Sequence, residues 1–320
     1  MIVAHWALTN GSGMGRVASE LVAAECALGL DARLIDCADP NASCPEADVF
    51  VVHTHLNDAA VAARKPMVWF AHGTPEVMFH SGYEQGAVNG AYGHGDAWMM
   101  AQYWLQHCDA TVTCWPRHQA IWRSLADKRT LVELVPMGVD TAFWEATGSQ
   151  GRYAGTPSVF TAENCYEMKW PLDLFIAWPW VAAHLPAARL HAIYVPRDQH
   201  RWWFPLVNRN GASYKAYIGP HVFDASALRN AFKSTDAYVG LVRYGDLNRV
   251  SLEAAASGAK VISYRGNPYA SYWVTEGDQR GLAEELIAIL RGQVEPRPVP
   301  PIPTMQDMAT AMRAVYERVM

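Results

Sequence analysis

Short apolar runs alternate with helix-like stretches along the chain, and this alternation most limits how the chain can fold. The first apolar run covers residues 2–8, and others follow at 32–36, 48–53 and 67–72. Strands that alternate with amphipathic helices form parallel sheets covered by helices on both faces. The pattern therefore predicts an α/β fold.

The alternation stops once and then begins again. Residues 147–157 are rich in glycine and small polar residues, which is typical of a linker between domains. Strands and helices resume beyond it, and a proline-rich stretch at 295–303 precedes a last helix. We expect two Rossmann-like domains of similar size that face each other across a cleft, with ligands at the carboxyl ends of the strands.

Composition excludes several classes of protein. Hydrophobic residues make up 51% of the 320 residues and charged residues 18%, which excludes disorder over most of the chain. The net charge of −5 argues against sequence-independent coating of DNA. No apolar run reaches the roughly eighteen residues of a membrane span, and the six scattered cysteines include no CxxC pair. We expect a cytoplasmic protein with no integral membrane contact.

Three glycines at alternate positions, Gly11, Gly13 and Gly15, separate the first strand from the first helix. Glycine lets the backbone approach a ligand closely, and a helix N-terminus offers unpaired N–H groups. This arrangement is consistent with a diphosphate or sugar contact and equally with a tight turn. Because the spacing differs from the dinucleotide fingerprint but Asp36 lies about twenty residues further on, an NAD-dependent oxidoreductase remains an alternative.

Polar side chains also follow the strand at 67–72. His72 ends this strand and is expected at the cleft, where an imidazole can orient a sugar hydroxyl or stabilise developing charge. The alternative is a buried histidine bonded to a backbone carbonyl. Glu76 is either a nearby acid or a solvated loop charge. His53 and His55 also end a strand, but without a third ligand they do not indicate a metal site, and none is predicted.

The stretch from Asn248 to Val261 is the most informative. Asn248, Arg249 and Val250 begin a helix directly after a strand, so the positive end of the helix dipole favours an anion there. Glu253 lies about one turn further, where a carboxylate can accept hydrogen bonds from a ribose diol. The alternative is an acidic residue that merely suits the first turn of a helix.

Six blocks in order resemble retaining glycosyltransferases of the GT-B fold, specifically the large family four. They are Gly11–Ile35, Phe70–His72, Val135–Asp140, Phe160–Trp170, Ile218–Val239 and Leu252–Gly258. The third reads V-P-M-G-V-D, similar to the family's I-P-N-G-V-D, and the last resembles its L-E-A-x-A-x-G.

The resemblance implies transfer of a hexose, with retention, from a nucleotide sugar such as UDP-glucose, with no metal or further cofactor. An acceptor domain would cover 1–146, with a C-terminal helix at 304–320 crossing back to it, and a donor domain 158–294. His72 would face the hexose, Lys169 would grip the diphosphate and Glu253 would hold the ribose. Further donor contacts would come from Gly13, Gly15, Ile218, Gly219, Asn248, Arg249 and Val250.

The chain departs from the family pattern near the donor sugar. Eight residues before Glu253, where the family has a glutamate, the chain has Gly245 with Asp246 beside it. Asn164 replaces the basic residue that the family has five positions before the lysine at 169. A nucleotide-sugar binder without catalysis therefore remains an alternative, although Arg249 is placed to supply the positive charge.

A basic, aromatic segment bears on the acceptor. Arg201, Trp202, Trp203 and Arg209 lie where the family has a short loop, in an otherwise acidic protein. One interpretation is an acceptor site that contacts phosphates and stacks on bases or sugars. The acceptor would then be a saccharide or a 5-hydroxymethylpyrimidine in DNA, as in compact viral glucosyltransferases, which requires base extrusion. The other is an insertion that packs its tryptophans on the core.

Overall fold

The computed structural model describes residues 1–9, 13–72, 75–76, 78, 95–147, 157–162, 172–193, 214–216, 224–243 and 248–320. The chain divides into two compact units. Unit 1 contains Met1–Gly138 and Pro303–Met320, and unit 2 contains Val139–Ile302.

Unit 1 is built on a parallel sheet of six strands in the order β2-β1-β3-β4-β5-β6. The strands are β1 (Ile2–Ala7), β2 (Asp31–Asp36), β3 (Val49–Val52), β4 (Met67–Phe70), β5 (Ala110–Thr113) and β6 (Leu131–Leu134). The chain reverses direction across the sheet between β1 and β3, so their carboxyl ends flank a topological switch point.

Helices cover both faces of this sheet. They are α1 (Gly13–Ala27), α2 (Asp58–Ala62), α3 (Gly95–His107), α4 (Pro116–Leu125) and, from the end of the chain, α10 (Met305–Val319). Buried side chains of α1 and α10 share one apolar core with alternate residues of the strands. Tryptophans of α3 and α4 lie in the core on the opposite face.

The last helix is tied tightly into unit 1. Thr304 caps α10 and accepts from the backbone N–H of Asp307, while Asp307 accepts from the backbone N–H of Thr304. A Cβ added at Gly138 would lie 2.5 Å from the carbonyl oxygen of Thr304. Glycine is therefore required at this position of the V-P-M-G-V-D block, because the backbone before α10 occupies the space of a side chain.

Unit 2 has its own six-stranded parallel sheet, in the order β12-β11-β10-β7-β8-β9. The strands are β7 (Ser158–Thr161), β8 (Arg189–Ala192), β9 (Tyr214–Ala216), β10 (Ala237–Val239), β11 (Val261–Tyr264) and β12 (Tyr272–Val274). The helices are α5 (Thr141–Glu145), α6 (Leu172–His184), α7 (Ala225–Ser234), α8 (Arg249–Ala256) and α9 (Gln279–Leu290).

One buried carboxylate organises the helical layer of unit 2. Asp173, in the first turn of α6, accepts hydrogen bonds from Tyr264 Oη at 2.7 Å, from the backbone N–H of Gly277 at 2.9 Å and from Gln279 Nε2 at 2.8 Å. These contacts tie α6 to β11 and to the start of α9, with which α6 shares the main apolar core of the unit.

The predicted α/β class is confirmed, and four local features differ from the expectation. Helix α1 begins at Gly13, so Gly13 and Gly15 lie in its first turn instead of in a loop before it. The short helices α2 and α5 and the three-residue strand β12 were not anticipated from the sequence. Such short elements contain too few residues to show a periodicity of their own.

Candidate functional site

Three histidines of unit 1 form a diagonal row across β1, β3 and β4. The sheet register aligns His5 with Val51 and Val51 with Val68. His53 lies two residues beyond Val51, and His72 lies four beyond Val68. Because side chains alternate between faces along a strand, these even offsets place the three imidazoles on one face, stepping toward the carboxyl edge.

Hydrogen bonds connect these rings from end to end. His5 Nδ1 lies 3.0 Å from His53 Nε2, and His53 Nδ1 lies 2.7 Å from His72 Nε2. His53 also stacks on Phe70 with ring centroids 5.2 Å apart. Stacking and hydrogen bonding together fix the orientation of each ring.

The inner end of the row meets two residues from opposite ends of the chain. Glu25 of α1 places Oε2 2.7 Å from His5 Nε2, and its Oε1 accepts a hydrogen bond from Tyr316 Oη of α10 at 2.7 Å. Glu25, His5 and Tyr316 are fully buried and His53 is 3% exposed, whereas His72 is partly exposed. A continuous series of hydrogen-bonded side chains thus runs from the core of unit 1 to His72, just beyond β4.

Burial determines the protonation state of two residues in this hydrogen-bonded series. Removal from water lowers the pKa of His53 well below its usual range, and repulsion between His53 and the imidazoles of His72 and His5 when these are protonated acts in the same direction. Burial and the neighbouring Glu25 raise the pKa of Tyr316 well above 10.0. His53 is therefore a neutral imidazole and Tyr316 a neutral donor at physiological pH. Neutral His53 carries one N–H, so it donates to one neighbouring histidine and accepts from the other.

In unit 2, the start of α8 follows β10 in the chain. Asn248 is the N-cap residue, and its side-chain oxygen accepts from the backbone N–H of Val250 at 3.0 Å. Asparagine suits this position because its amide oxygen satisfies a donor that the helix leaves unpaired. The cap fixes the direction in which the remaining N-terminal N–H groups point.

Glu253 is fully buried in α8 and paired with Arg249. Arg249 Nε donates to Glu253 Oε1 at 3.1 Å, with side-chain exposures of 10% and 0%. This pair is local because the residues are four apart on one helix. Glu253 is therefore a buried and oriented carboxylate, and it is the fifth residue of α8, beyond the first turn in which the alternative interpretation placed it.

Close packing determines where α8 lies. A Cβ added at Gly240, directly after β10, would lie 2.7 Å from Ser251 Oγ and 2.9 Å from the Tyr238 ring. Ser251, Leu252, Glu253 and Ala254 are all buried. The glycine thus allows the first turn of α8 to pack directly against the end of the strand.

The remaining predicted residues that the structure describes lie in unit 1. Gly13 and Met14 are exposed and Gly15 is buried at the start of α1. Glu76 forms an ion pair with Arg117 of α4, so its carboxylate is not a solvated loop charge.

Other predicted site residues lie outside the described part of the chain. They are Lys169, Ile218, Gly219, Arg201, Trp202, Trp203 and Arg209, together with Asn164, Gly245 and Asp246 at the departures from the family pattern. The structure therefore brings together Asn248, Arg249, Val250 and Glu253 in unit 2 and places His72 separately in unit 1.

Sequence reasoning missed His5, Glu25 and Tyr316, and it considered His53 only as a metal ligand. One signal for this group is readable in the sequence. Glu25 falls on the apolar face of α1, four residues after Leu21, and His5 falls in the middle of an apolar strand. A buried acid and a buried base each need a partner, so the two were candidates for pairing.

Within the described residues, no group of three or more His, Cys, Asp or Glu side chains is arranged to hold a metal ion. Likewise, none of the helices in the described ranges combines the length and apolar character needed to cross a bilayer.

Comparison with solved structures identifies the fold. A crystal structure of Anabaena HepE in complex with UDP and glucose matches 100% of this chain and 97% of its own, with a TM-score of 0.63 and 11% identity. Sucrose-phosphate synthase from Thermosynechococcus elongatus matches 100% of this chain and 96% of its own, with a TM-score of 0.70 and 14% identity. A structure described as trehalose-6-phosphate from Escherichia coli bound with UDP-2-fluoro glucose matches 85% of this chain and 70% of its own, with a TM-score of 0.57 and 14% identity.

The sequence comparisons give no assignment. No protein-family model matches the chain, and no curated protein matches it. The structural matches, at 11% and 14% identity over the full length of the chain, establish the fold alone. This chain therefore has the GT-B fold that the sequence blocks predicted, and the residues described above lie within it.

Proposed function

We propose that the chain is a glycosyltransferase that moves a hexose from a UDP-sugar to an acceptor hydroxyl. The observation that carries this proposal is the match of the whole chain to HepE structures, one holding UDP and glucose and another UDP-glucose. The capped α8 helix with its buried Glu253 supports it, because the L-E-A block that predicted a nucleotide site forms an ordered helix start.

The chemistry proposed for α8 is stabilisation of the leaving diphosphate. Breaking the bond between the sugar and the diphosphate leaves negative charge on the phosphate oxygens. The N-terminal amides of α8, Arg249 and Lys169 would stabilise this charge by preorganised donation. Glu253 would accept from the ribose hydroxyls, while Arg249 Nε donates to its Oε1 and holds the carboxylate in place.

His72 would act at the acceptor side of the reaction. It lies beyond β4, is partly exposed and is held from behind by His53. We propose that its imidazole orients the hexose and the attacking hydroxyl, and that the reaction proceeds with retention and needs no metal. Gly13, Gly15, Ile218 and Gly219 are proposed as further donor contacts.

A donor panel tests the proposal. UDP-, GDP- and ADP-sugars are incubated with the chain, and release of the nucleoside diphosphate is measured together with the shift in melting temperature. We expect UDP-sugars to raise the melting temperature and to be turned over. Absence of both responses to every donor would overturn the proposal, and binding without turnover would favour a nucleotide-sugar binder without catalysis.

The acceptor is proposed to be a saccharide, with 5-hydroxymethylpyrimidine in DNA as the second candidate. The second rests on the basic, aromatic segment that contains Arg201, Trp202, Trp203 and Arg209, with Glu76 as a further proposed acceptor contact. Transfer of labelled sugar to hydroxymethylated DNA, plain DNA and a saccharide panel separates the two. If DNA is the acceptor, replacing Arg201 and Arg209 is expected to reduce transfer and spare donor hydrolysis.

A further inference from the structure

We propose that His53, His5 and Glu25 form a proton relay behind His72, which fixes the tautomer of His72 and exchanges a proton with it during catalysis. The catalytic step of this inference rests on the proposed function, because glycosyl transfer supplies the hydroxyl that gives up its proton. The relay itself rests on an unbroken series of hydrogen bonds of 2.7, 3.0 and 2.7 Å between His72, His53, His5 and Glu25.

The direction of the hydrogen bonds follows from the donors available. Tyr316 donates to Glu25 Oε1, and an ionised carboxylate offers only acceptors, so Oε2 accepts from His5 Nε2–H. In the proposed relay His5 is neutral, so its Nδ1 accepts from His53 Nε2–H. His53 in turn accepts at Nδ1 from His72 Nε2–H. With Glu25 ionised and His5 neutral, all three histidines carry their inner proton on Nε2.

This arrangement can take up one proton without placing a net positive charge in the core. When the acceptor hydroxyl gives its proton to His72 Nδ1, the Nε2 proton of His72 passes to His53 Nδ1. The Nε2 proton of His53 passes to His5 Nδ1, and that of His5 to Glu25 Oε2. The hydroxyl oxygen forms the new glycosidic bond, while the electrons of the sugar–phosphate bond leave with UDP. Every imidazole remains neutral and the carboxylate becomes a carboxylic acid.

The surroundings hold this relay in place. His5 and His53 stack with ring centroids 5.3 Å apart, and the rings of Phe70 and His72 are 4.4 Å apart. The stacking holds each imidazole in one orientation, and a rotated ring would break the series of hydrogen bonds. Glu25 comes from α1 and His5 from β1, while His53 and His72 follow β3 and β4, and Tyr316 of α10 holds Glu25. The tertiary fold itself therefore aligns the relay.

Other titratable groups on or beside these elements contact residues outside the relay. On α1, Arg16 pairs with Glu20 at 3.5 Å, and on α10, Arg313 pairs with Glu317 at 2.9 Å. Cys114, directly after β5, packs against the same apolar core. Further acids and bases of α10 are Asp307 in the capping box and Arg318, which pairs with Glu133 of β6.

The first test reads the tautomers directly. The chain is labelled with ¹⁵N-histidine, and nitrogen–proton correlations assign the protonated nitrogen of His5, His53 and His72 near neutral pH. We expect Nε2–H in all three rings. A proton on Nδ1 of neutral His5 or His53 would overturn the proposal, and this measurement requires neither a variant nor turnover.

The second test asks whether Glu25 acts on His72 through His53. The midpoint for protonation of His72 is followed in the wild type, Glu25→Gln, His53→Phe and the double variant, with His118→Gln as the control for a buried histidine outside the relay. We expect Glu25→Gln and His53→Phe each to lower the midpoint by about one pH unit. The double variant should equal His53→Phe alone, because the single changes then act on one path. Additive shifts, or no shift in Glu25→Gln, would overturn the relay.

Turnover distinguishes this proposal from the proposed function. If the wild type turns over a UDP-sugar, both single variants should lower kcat about 100-fold, leave KM for the donor unchanged and move the pH profile. A changed KM with unchanged kcat would contradict the relay. If the wild type turns over no donor, the proposed function fails, and the tautomers and midpoints still decide whether the relay exists.

Discussion

Each unit of this protein buries a glutamate completely, but the two carboxylates are satisfied in different ways. Glu25 in unit 1 bonds to His5 and Tyr316, residues 20 and 291 positions away in the chain. Glu253 in unit 2 bonds to Arg249, one helical turn away. The first is held by the tertiary fold and the second by its own helix, so the two should respond differently to substitution.

The largest effect is expected for Glu25→Leu. This change leaves the buried donors of His5 and Tyr316 without their acceptor, which we expect to destabilise the folded state by about 3–5 kcal/mol. Urea denaturation measures the loss. Glu20→Leu on the same helix is the control and should cost less than about 1 kcal/mol, because its pair with Arg16 is partly exposed. Equal losses in the two variants would contradict the importance of the distant partners.

Arg249→Met tests the local carboxylate. Glu253 would then remain buried without this guanidinium, and we expect a loss of about 3 kcal/mol. The matched control is Arg313→Met, which breaks an exposed pair with Glu317 at the same spacing in α10. The control should cost less than about 0.5 kcal/mol. A loss in Arg249→Met no greater than in its control would show that the pair contributes little to folding.

Acid is expected to weaken unit 1. Burial, with Arg117 nearby, lowers the pKa of His118 from 6.5 to about 4. The unfolded chain therefore binds a proton first as the pH falls below 6.5, so His118 contributes stability that is lost between this pH and about 4. We expect it to account for a loss of about 2 kcal/mol between neutral pH and about pH 5. Denaturation at both pH values should show this loss reduced in His118→Gln; an unchanged loss would contradict the assignment.

The smallest loss of stability is expected when an N-cap is removed, and this change separates an effect on folding from an effect on ligand binding. Asn248→Ala and Asp278→Ala each remove an N-cap in unit 2 and should each cost about 1 kcal/mol. Only the first cap lies at the proposed diphosphate site. We therefore expect UDP binding to weaken in Asn248→Ala and to remain unchanged in Asp278→Ala, as measured by calorimetry. Equal affinities in the two variants would place the nucleotide elsewhere.

The contrast between the two glutamates explains what the sequence could predict. Glu253, Arg249 and Asn248 are close in the chain and follow a strand, so a contiguous motif identified the helix start. His72 was recognised because it closely follows a strand. Glu25 was missed because nothing near it in the chain is its partner, and only the packing of α1 against α10 brings Tyr316 to it.

The fold, like the site, has features that the local sequence predicts and features that depend on tertiary packing. Parallel α/β architecture follows from the repeated alternation of strands and helices, which many residues encode together. The beginning of α1 at Gly13 was not predicted, since glycine is a poor helix former and usually indicates a turn. Strand β12 was not predicted because three residues cannot show alternation, and its place depends on pairing with β11.

We propose that α8 forms the site of a UDP-sugar, and calorimetric titration with UDP is the decisive experiment. We expect saturable binding to the wild type and at least about tenfold weaker binding to Glu253→Gln, since a lost charged hydrogen bond is worth about 1.5–3 kcal/mol. Melting curves of the titrated samples would verify that both proteins are folded. Equal affinity for UDP in the two folded proteins, or no heat of binding to the wild type, would contradict the account.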